Sequence, residues 1–285
     1  MLELTTHSLS LAEDQGYRAL NDLASAAAEY RASIADEDSK KEEDERWSYR
    51  VVGGHMVQLL VLAYPTPNAV IRTTGDADAG IDRPTASAQG LHDALLRRGY
   101  HPAKGNHYEK DDNLRGKDGL LLLRQIDLLV PASGAGRRLQ MVKLGNRGFD
   151  AVPGLAFAAS SPALFLSVTT QLTNGEELRF EVPIPDVEAA LVLKAHARLS
   201  RTVPKDAADI NSLLEIAFLH REKFSDWLLD DPHWGRFGAR KDAGAVLYSM
   251  AREIDRGTLE LGPGQLAPAR MASLIRRLVI EPQQK

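Results

Sequence analysis

The spacing of hydrophobic positions changes twice along the chain, and each stretch predicts a different kind of structure. Between Ser8 and Ile34 apolar residues recur at helical spacing, which predicts one long helix. Residues 46–183 carry short apolar runs separated by glycine, proline and polar residues, which is typical of strands alternating with short helices. After Pro183 the helical spacing returns and mostly persists through the remaining sequence.

These patterns predict an α+β protein in three parts. Residues 1–45 would form an N-terminal helix followed by a charged linker or an exposed helix end, since nearly every position from Asp36 to Glu45 is charged. Residues 46–183 would form a mixed sheet with flanking helices. Residues 184–285 would form an all-helical C-terminal domain.

The predicted elements of the central part can be placed individually. They are a strand over 47–52, a helix over 55–63, an extended segment over 69–72, a helix over 87–99 and strands over 120–130, 164–170 and 178–182. The polar residues 101–118 are predicted to be a loop. Residues 138–144 are predicted to pair with the 120–130 strand in a hairpin, across a turn at Gly134–Gly136.

Composition narrows the class of protein and the kind of site. The chain contains no cysteine, so disulfide scaffolds, thiolate zinc sites and cysteine nucleophiles are excluded. The formal net charge of -4 does not indicate a broad nucleic-acid-binding surface, although a local basic patch would be sufficient for binding. The sequence has no secretory signal pattern and no apolar run of membrane-spanning length. We therefore expect a cytoplasmic protein with no membrane partner.

Three aspartates stand in segments with the pattern of strands. Asp76 and Asp78 are two residues apart, so in an extended chain their carboxylates lie on one face. Asp127 lies within the apolar run LLLLRQIDLLV, where a lone carboxylate is costly to bury unless it is paired or metal-bound. Three carboxylates from adjacent strands would form the oxygen-rich site that Mg²⁺ shares with substrate phosphates. The structural alternatives are a surface loop for Asp76 and Asp78, and a satisfied core or edge acid for Asp127.

The pair Gly53–Gly54 separates a predicted strand from a predicted helix. Glycine tolerates positive φ and lets the backbone approach a ligand, and the amides that open a helix favour phosphate oxygens. A plain turn is the alternative for this pair considered alone. The order strand, Gly-Gly, helix, strand, Asp-x-Asp, helix, strand, Asp favours a phosphate-binding turn beside metal-binding carboxylates.

This order of motifs resembles the polymerase-β-like nucleotidyltransferase superfamily, in which Gly-Gly precedes Thr-x-Asp-x-Asp and an aspartate in a later strand. The segment LVLKAHARLSRTVPKDAADI is similar to the Lys…Arg…Lys-Asp-x-x-Asp segment of AbiEii-type nucleotidyltransferases. These enzymes are the toxins of bacterial toxin–antitoxin and abortive-infection systems and include the mycobacterial MenA-type toxins. The resemblance covers residues 51–215 and implies a nucleotidyltransferase-type sheet.

The resemblance implies a role for each matching residue near the phosphates. Asp76 and Asp78 match the metal-binding pair, and Asp127 matches the third carboxylate of the superfamily. Lys194 matches a helix lysine that reaches the nucleotide phosphates. An ammonium group facing the cleft there would neutralise phosphate charge as pyrophosphate leaves.

Two other matches concern activity and its control. Asp209 matches an aspartate of the second domain that the family requires for activity, and its alternative is a surface acid paired with Arg201 or Lys205. Thr74 matches a hydroxyl residue that, in some relatives, is phosphorylated to silence the toxin. The resemblance therefore implies a candidate regulatory position next to the metal-binding pair.

The phosphate-contacting turn of the family matches Gly53, Gly54 and His55, which the resemblance implies to be nucleotide-binding. Three features depart from the family pattern. His55 stands where many relatives carry a small or hydroxyl residue, and Ala79–Asp82 follows the aspartate pair in place of an apolar run. The stretch from Gly54 to Asp76 is also long. These departures concern the nucleotide contacts more than the carboxylates.

We therefore expect a nucleotidyltransferase that uses Mg²⁺ or Mn²⁺ to move NMP from an NTP to an acceptor. By the resemblance the acceptor is RNA, with the 3′ end of tRNA as the expected site, and a cognate antitoxin protein is the expected partner. One alternative is a small-molecule, antibiotic-type nucleotidyltransferase, which an acidic acceptor pocket would favour; a basic groove beside the metals would favour RNA. The other alternative is an inactive nucleotide-binding module.

Overall fold

The chain adopts a mixed α+β fold, as predicted, in a computed structural model that describes residues 1–34, 49–133, 139–200, 203–259 and 267–283. Two predicted features, the charged run over residues 36–45 and the turn at Gly134–Gly136, lie outside the described residues. The predicted strand over 47–52 and the predicted helix over 55–63 are both present in their described parts.

The elements have the following bounds. The strands are β1 (Leu2–His7), β2 (Tyr49–Val51), β3 (Asp76–Ile81), β4 (His101–Lys104), β5 (His107–Arg115), β6 (Leu121–Pro131), β7 (Gln140–Leu144), β8 (Arg147–Val152), β9 (Ala163–Gln171) and β10 (Glu177–Pro185). The helices are α1 (Leu11–Ile34), α2 (Gly53–Ala63), α3 (Arg83–Ser87), α4 (Gly90–Arg97), α5 (Leu155–Ser160), α6 (Val187–Ser200), α7 (Pro204–Leu219), α8 (Gly238–Asp255) and α9 (Pro268–Leu278). Short 3₁₀ turns occur at Arg221–Lys223 and Trp234–Arg236.

The larger sheet is organised around the central strand β6. Its strand order is β2-β3-β6-β5-β4, and β3 runs parallel to β6 while the other neighbours in this order are antiparallel. Strand β8 pairs in parallel with the last residues of β6, and β7 pairs with β8. A smaller sheet has the order β1-β9-β10. The parallel β3–β6 pair requires a crossover connection, which α3, α4 and the β4–β5 hairpin supply.

Two predictions for the larger sheet are wrong. Residues 101–118, predicted as a loop, contain the β4–β5 hairpin, whose side chains are mostly exposed and therefore show little hydrophobic alternation. Residues 138–144 contain β7, which pairs with β8 and not with β6. The reason is the two-residue hairpin turn at Gly145–Asn146, which closes between Leu144 and Arg147 with Gly145 at positive φ.

Three smaller differences from the predicted elements each concern a single segment. Strand β1 was not predicted, because its partner β9 is remote in the sequence. Residues 69–72 are irregular, and the helix predicted over 87–99 is present as the shorter α4, with the additional short helix α3 before it. Helix α3 is an addition to the prediction, and it forms because the Asp82 carboxylate accepts a hydrogen bond from the backbone N–H of Thr85 and Pro84 occupies the first turn.

Helix α1 packs across β3 and β6. Tyr17, Leu20 and Leu23 are fully buried on its packed side. At Gly16 the helix comes so close to the chain before β3 that an added Cβ atom would lie 2.5 Å from the backbone oxygen of Thr74. The N-terminal helix therefore supports the strand that carries the Asp-x-Asp pair.

The C-terminal region is helical, as predicted. Helices α6 to α9 pack on one another, and α6 and α7 also contact α2. The predicted boundary after Pro183 falls inside β10. Strand β10 leads directly into α6 through Asp186, and the Asp186 carboxylate accepts a hydrogen bond from the N–H of Ala189 (2.7 Å). Within the described part of the chain, no helix has the length and apolarity that crossing a bilayer requires.

The close approach of α1 to the site strand predicts different effects for two helical glycines. Gly16→Ala should lower the free energy of unfolding by about 1–3 kcal/mol, because the added methyl group must displace backbone. Gly244→Ala on α8, where the new Cβ atom meets only ordinary contacts at 3.5 Å or more, should be neutral or stabilising by up to about 1 kcal/mol. Denaturant unfolding measures both, and equal stabilities would contradict this packing.

Candidate functional site

The parallel pairing of β3 with β6 brings the three predicted aspartates together. Asp78 lies opposite Asp127 in the strand register, and Asp76 lies one pleat earlier on the same face of the sheet. One carboxylate oxygen from each residue lies within 4.8 Å of the others, and all three residues are partly exposed. The predicted convergence of these carboxylates is therefore confirmed.

The surroundings shift the pKa values of two of these acids in opposite directions. Burial raises the pKa of Asp127, assisted by the charges of Asp76 and Asp150 and opposed by His107. Burial also disfavours ionised Asp76, but the hydrogen bond that Thr74 Oγ1 donates to it (2.7 Å) and other nearby groups outweigh this, so the pKa of Asp76 is lowered. Clustered carboxylate oxygens are the donors that Mg²⁺ and Mn²⁺ prefer, and a divalent cation would relieve their mutual repulsion. The donor set fits the expected metal.

The first residue of α2, Gly53, must be a glycine because the Asp78 carboxylate lies next to it. Gly53 has a φ of +66°, and a Cβ atom built there would lie 1.8 Å from Asp78 Oδ2. The backbone N–H of Val52 also donates a hydrogen bond to the carbonyl oxygen of Asp78 (2.9 Å). The turn and the metal-site strand are thus fitted to each other, and only glycine leaves room for the Asp78 side chain.

The N-terminus of α2 is suited to an anion. Val52 provides no side-chain cap, and the first turn contains no acidic residue. A Cβ atom at Gly54 would lie 2.7 Å from Thr74 Oγ1 and 3.0 Å from Arg72 Nη2, so a hydroxyl and a guanidinium group lie beside the first turn. Helix amides and a nearby cation together favour phosphate oxygens.

The Asp209 carboxylate forms ion pairs with two cations near the first turn of α2. Its carboxylate lies 2.7 Å from Lys194 Nζ through Oδ2 and 3.2 Å from Arg72 Nε through Oδ1. Asp209 is 2% exposed, so it is not the surface acid considered as the alternative. The side chain of Lys194 is 5% exposed and that of Arg72 is 30% exposed. Arg72 therefore presents the more accessible positive charge next to the turn, and no motif in the sequence pointed to this residue.

His55 does not have the position that the resemblance implies. The residue is fully buried, with Nδ1 2.9 Å from the carbonyl oxygen of Asp76 and its ring 5.7 Å from that of Tyr17. Burial lowers the pKa of His55 to about 4, so the ring is neutral near pH 7. A nucleotide contact by this imidazole is incompatible with its burial; the side chain supports the backbone of Asp76 from within the core.

Four of the predicted site residues border a common cavity. A cavity of about 230 Å³ is bordered by Gly53, Asp78, Asp127 and Lys194. A fourth acid, Asp150 of β8, also lines it, and its aliphatic wall includes Leu129, Leu139, Val152, Leu155 and Leu193. The cavity therefore places carboxylates, the glycine turn and a lysine around one space between the sheet and α6.

Two more polar residues extend the site along β5. His107 Nδ1 lies 2.9 Å from Asp127 Oδ1, and His107 Nε2 lies 3.1 Å from Glu109 Oε1. Burial lowers the pKa of His107, but the hydrogen bonds and charges of the two acids outweigh it and the pKa is raised. Neither residue was assigned to the site from sequence, because their segment was predicted to be a loop. The alternation of His107 and Glu109 around the buried Tyr108 is the strand signal that could have identified them.

Comparisons with known proteins do not identify the chain. No family model matches it, and no curated protein matches it. The resemblance to AbiEii-type nucleotidyltransferases therefore stays a prediction from motifs.

The contact between Gly53 and Asp78 predicts a loss of metal binding on substitution. Gly53→Ala should weaken Mn²⁺ affinity at least about 10-fold, because its methyl group must displace a ligand carboxylate. Gly119→Ala is the matched control, since Gly119 also has positive φ but has no neighbour within 4 Å of the new Cβ atom. Both should lose about 1 kcal/mol of stability from backbone strain. Mn²⁺ titration by electron paramagnetic resonance and denaturant unfolding measure these effects; equal Mn²⁺ affinities would contradict the fit.

The burial of His55 predicts a pH-dependent stability. Its pKa is about 4 in the folded protein and 6.5 as a free side chain, so the unfolded state binds more protons between these values. The stabilising contribution is therefore present above pH 6.5 and is lost as the pH falls towards 4, by about 3 kcal/mol. The unfolding free energies of the wild type and His55→Asn, measured at pH 7 and pH 4, should differ less at pH 4. A pH-independent difference would show that His55 is not held neutral.

Proposed function

We propose that the protein is a metal-dependent nucleotidyltransferase that transfers NMP from an NTP to an acceptor hydroxyl. The observation that supports this most is the common cavity, which is bordered by Asp78 and Asp127 of the carboxylate cluster, by Gly53 and by Lys194. A nucleotide transfer needs these groups at one place, because metal ligands, a phosphate cradle and a cation must act on one triphosphate.

The carboxylates supply the metal site in this proposal. Asp76, Asp78 and Asp127 would hold Mg²⁺ or Mn²⁺, which when bound neutralises phosphate charge and favours in-line displacement at phosphorus. Thr74 holds the Asp76 carboxylate through its hydroxyl group. Gly53 leaves the space that the Asp78 carboxylate occupies.

The triphosphate would lie at the N-terminus of α2. Backbone amides of the first turn would donate hydrogen bonds to phosphate oxygens, and Lys194 and Arg72 would balance the negative charge. Asp209 keeps both cations aimed at this position through its two oxygens. A bidentate arginine and a buried lysine lose little conformational freedom on binding, so the phosphate site is preorganised.

The transfer itself requires one bond exchange and one proton acceptor. The acceptor oxygen attacks the α-phosphorus, the bond from that phosphorus to the bridging oxygen of the β-phosphate breaks, and pyrophosphate leaves with the electron pair. The hydroxyl proton passes to Asp127. The raised pKa of Asp127 makes this carboxylate a better base than an ordinary aspartate.

For the acceptor we propose RNA, at the 3′ end of tRNA, and a cognate antitoxin as the partner. The support is the resemblance of the motif set to toxin nucleotidyltransferases. Regulation through Thr74 is part of the same proposal. A phosphate there would break the hydrogen bond to Asp76 and add about −1.5 to −2 charges beside the carboxylates, which would weaken nucleotide binding.

A second candidate acceptor is a small molecule that carries amino groups. The supporting observation is the acidic character of the acceptor side: Asp150 lines the cavity near Asp127, and Glu109 lies one hydrogen bond beyond His107. Carboxylates there attract a cationic acceptor and repel a polyanion.

Label transfer tests the proposed reaction. The wild-type protein with Mg²⁺, one α-³²P-labelled NTP at a time and total tRNA should place label on tRNA with at least one nucleotide. Asp76→Asn should abolish the transfer because it removes a ligand charge without changing side-chain size. Asp93→Asn, an exposed acid on α4, is the control and should retain activity.

The same assay distinguishes the two candidate classes of acceptor. Label on an amine-bearing small molecule, with none on tRNA, would favour the second candidate. An active Asp76→Asn protein would refute the metal-dependent mechanism. Binding of an NTP with Mn²⁺, but no transfer to either acceptor, would support the alternative of an inactive nucleotide-binding module.

Arg72 should contribute to triphosphate binding. Arg72→Met should raise the KM for the NTP by about 10- to 100-fold, as expected for loss of charged hydrogen bonds, and Arg72→Lys should recover only part of this. Arg97→Met is the control, because Arg97 is an exposed arginine that, like Arg72, is paired with a carboxylate, here that of Glu29. Steady-state kinetics measure these effects, and an unchanged KM in Arg72→Met would place the triphosphate elsewhere.

A further inference from the structure

His107 is held at both ring nitrogens between two carboxylates. It lies directly opposite Asp127 in the antiparallel pairing of β5 with β6, where side chains of one face meet across the strands. Nδ1 is 2.9 Å from Asp127 Oδ1, and Nε2 is 3.1 Å from Glu109 Oε1. The ring is therefore fixed in orientation by hydrogen bonds at opposite ends.

Glu109 is itself held in place. It lies two residues from His107 on β5, so both side chains share one face of the sheet. Gln125, opposite Glu109 in the β5–β6 register, donates a hydrogen bond from Nε2 to Glu109 Oε1 (3.3 Å). Hydrogen bonds thus connect Gln125 to Glu109, Glu109 to His107 and His107 to Asp127, and this series ends at the carboxylate cluster.

This arrangement assigns different tasks to the two oxygens of Asp127. Oδ1 is taken by His107, which leaves Oδ2 for a metal ion or an acceptor proton. The terminal torsion of a free aspartate is broad, so an unsupported carboxylate would sample many orientations. Partners behind ligating carboxylates restrict this motion and commonly account for 10- to 100-fold in metal affinity or activity.

We propose that His107 is a positioning residue that orients the Asp127 carboxylate so that its Oδ2 atom meets the metal ion or the acceptor proton, and that Glu109 orients His107. The proposal rests on the proposed function, because it assumes that Asp127 serves the reaction. His107 acts only through Asp127, whereas Lys194, Arg72 and the α2 turn hold the triphosphate. Loss of His107 should therefore change metal affinity and kcat and leave the KM for the NTP nearly unchanged.

The first test measures Mn²⁺ binding to the full chain by electron paramagnetic resonance, without nucleotide. His107→Phe, which fills the space but has no hydrogen-bond donor, should weaken Mn²⁺ binding about 10- to 100-fold. His107→Asn, which keeps a donor near the position of Nδ1, should recover most of that affinity. Label-transfer kinetics should show a similar fall in kcat for His107→Phe, with the KM for the NTP within about 2-fold of wild type.

His92→Phe is the matched control for a lost histidine hydrogen bond. His92 is also partly exposed and its Nδ1 contacts the hydroxyl group of Tyr108 at 2.8 Å, but it makes no contact with the carboxylate cluster among the hydrogen bonds of the described residues. This variant should show a change in unfolding free energy with wild-type Mn²⁺ affinity. The pair therefore separates a structural effect from a positioning effect.

Wild-type Mn²⁺ affinity and kcat in a folded His107→Phe protein would overturn the proposal. If His107→Phe does not fold, Glu109→Gln replaces it: the expected result is a several-fold loss of Mn²⁺ affinity, and unchanged affinity overturns the proposal. Failure of the proposed function gives a different result. In that case the wild type itself shows no Mn²⁺ binding that depends on Asp76, or no label transfer to any acceptor.

Discussion

The parallel pairing of β3 with β6, in the register that sets Asp78 opposite Asp127, is the constraint on which the site depends. It places three partly buried carboxylates on one face, where they repel one another, and burial together with the charge of Asp76 raises the pKa of Asp127. The surrounding structure compensates locally, through the Thr74 hydroxyl on Asp76 and the His107 ring on Asp127. A shift of β3 by one residue against β6 would turn Asp76 and Asp78 to the opposite face and separate them from Asp127, so the site requires this register.

Asp209 plays a comparable part between the sheet and the helices. It lies on α7 and binds Lys194 of α6 and Arg72 of the segment before β3, so one buried carboxylate links three parts of the chain. A buried ion pair gives little net stability, because desolvation offsets the attraction. Its value here is geometric: it fixes two cations beside the α2 turn. This gives a physical reason for an acid at a position that the resemblance implies to be required for activity.

Steric fit reinforces the electrostatic arrangement. Gly53 and Gly54 are glycines because Asp78, Thr74 and Arg72 occupy the space that larger side chains would need. Where α1 meets the chain before β3, the missing side chain of Gly16 leaves room for the carbonyl oxygen of Thr74 and the ring of His55. The N-terminal helix therefore belongs to the support of the site, although it lies outside the segment covered by the resemblance. Close packing of this kind makes the position of the carboxylates sensitive to single methyl groups.

The sequence by itself determined the fold class, the helical C-terminal region, and the candidates Asp76, Asp78, Asp127 and Gly53. Their signals are local: hydrophobic spacing, a two-residue interval between acids, and a glycine pair at a strand end. Tertiary structure alone decided the partners of β7, the burial of His55, and the recruitment of Arg72, His107, Glu109 and Asp150. These residues reach the site through strand pairings and ion pairs between distant segments, and local spacing carries no information about contacts of that kind.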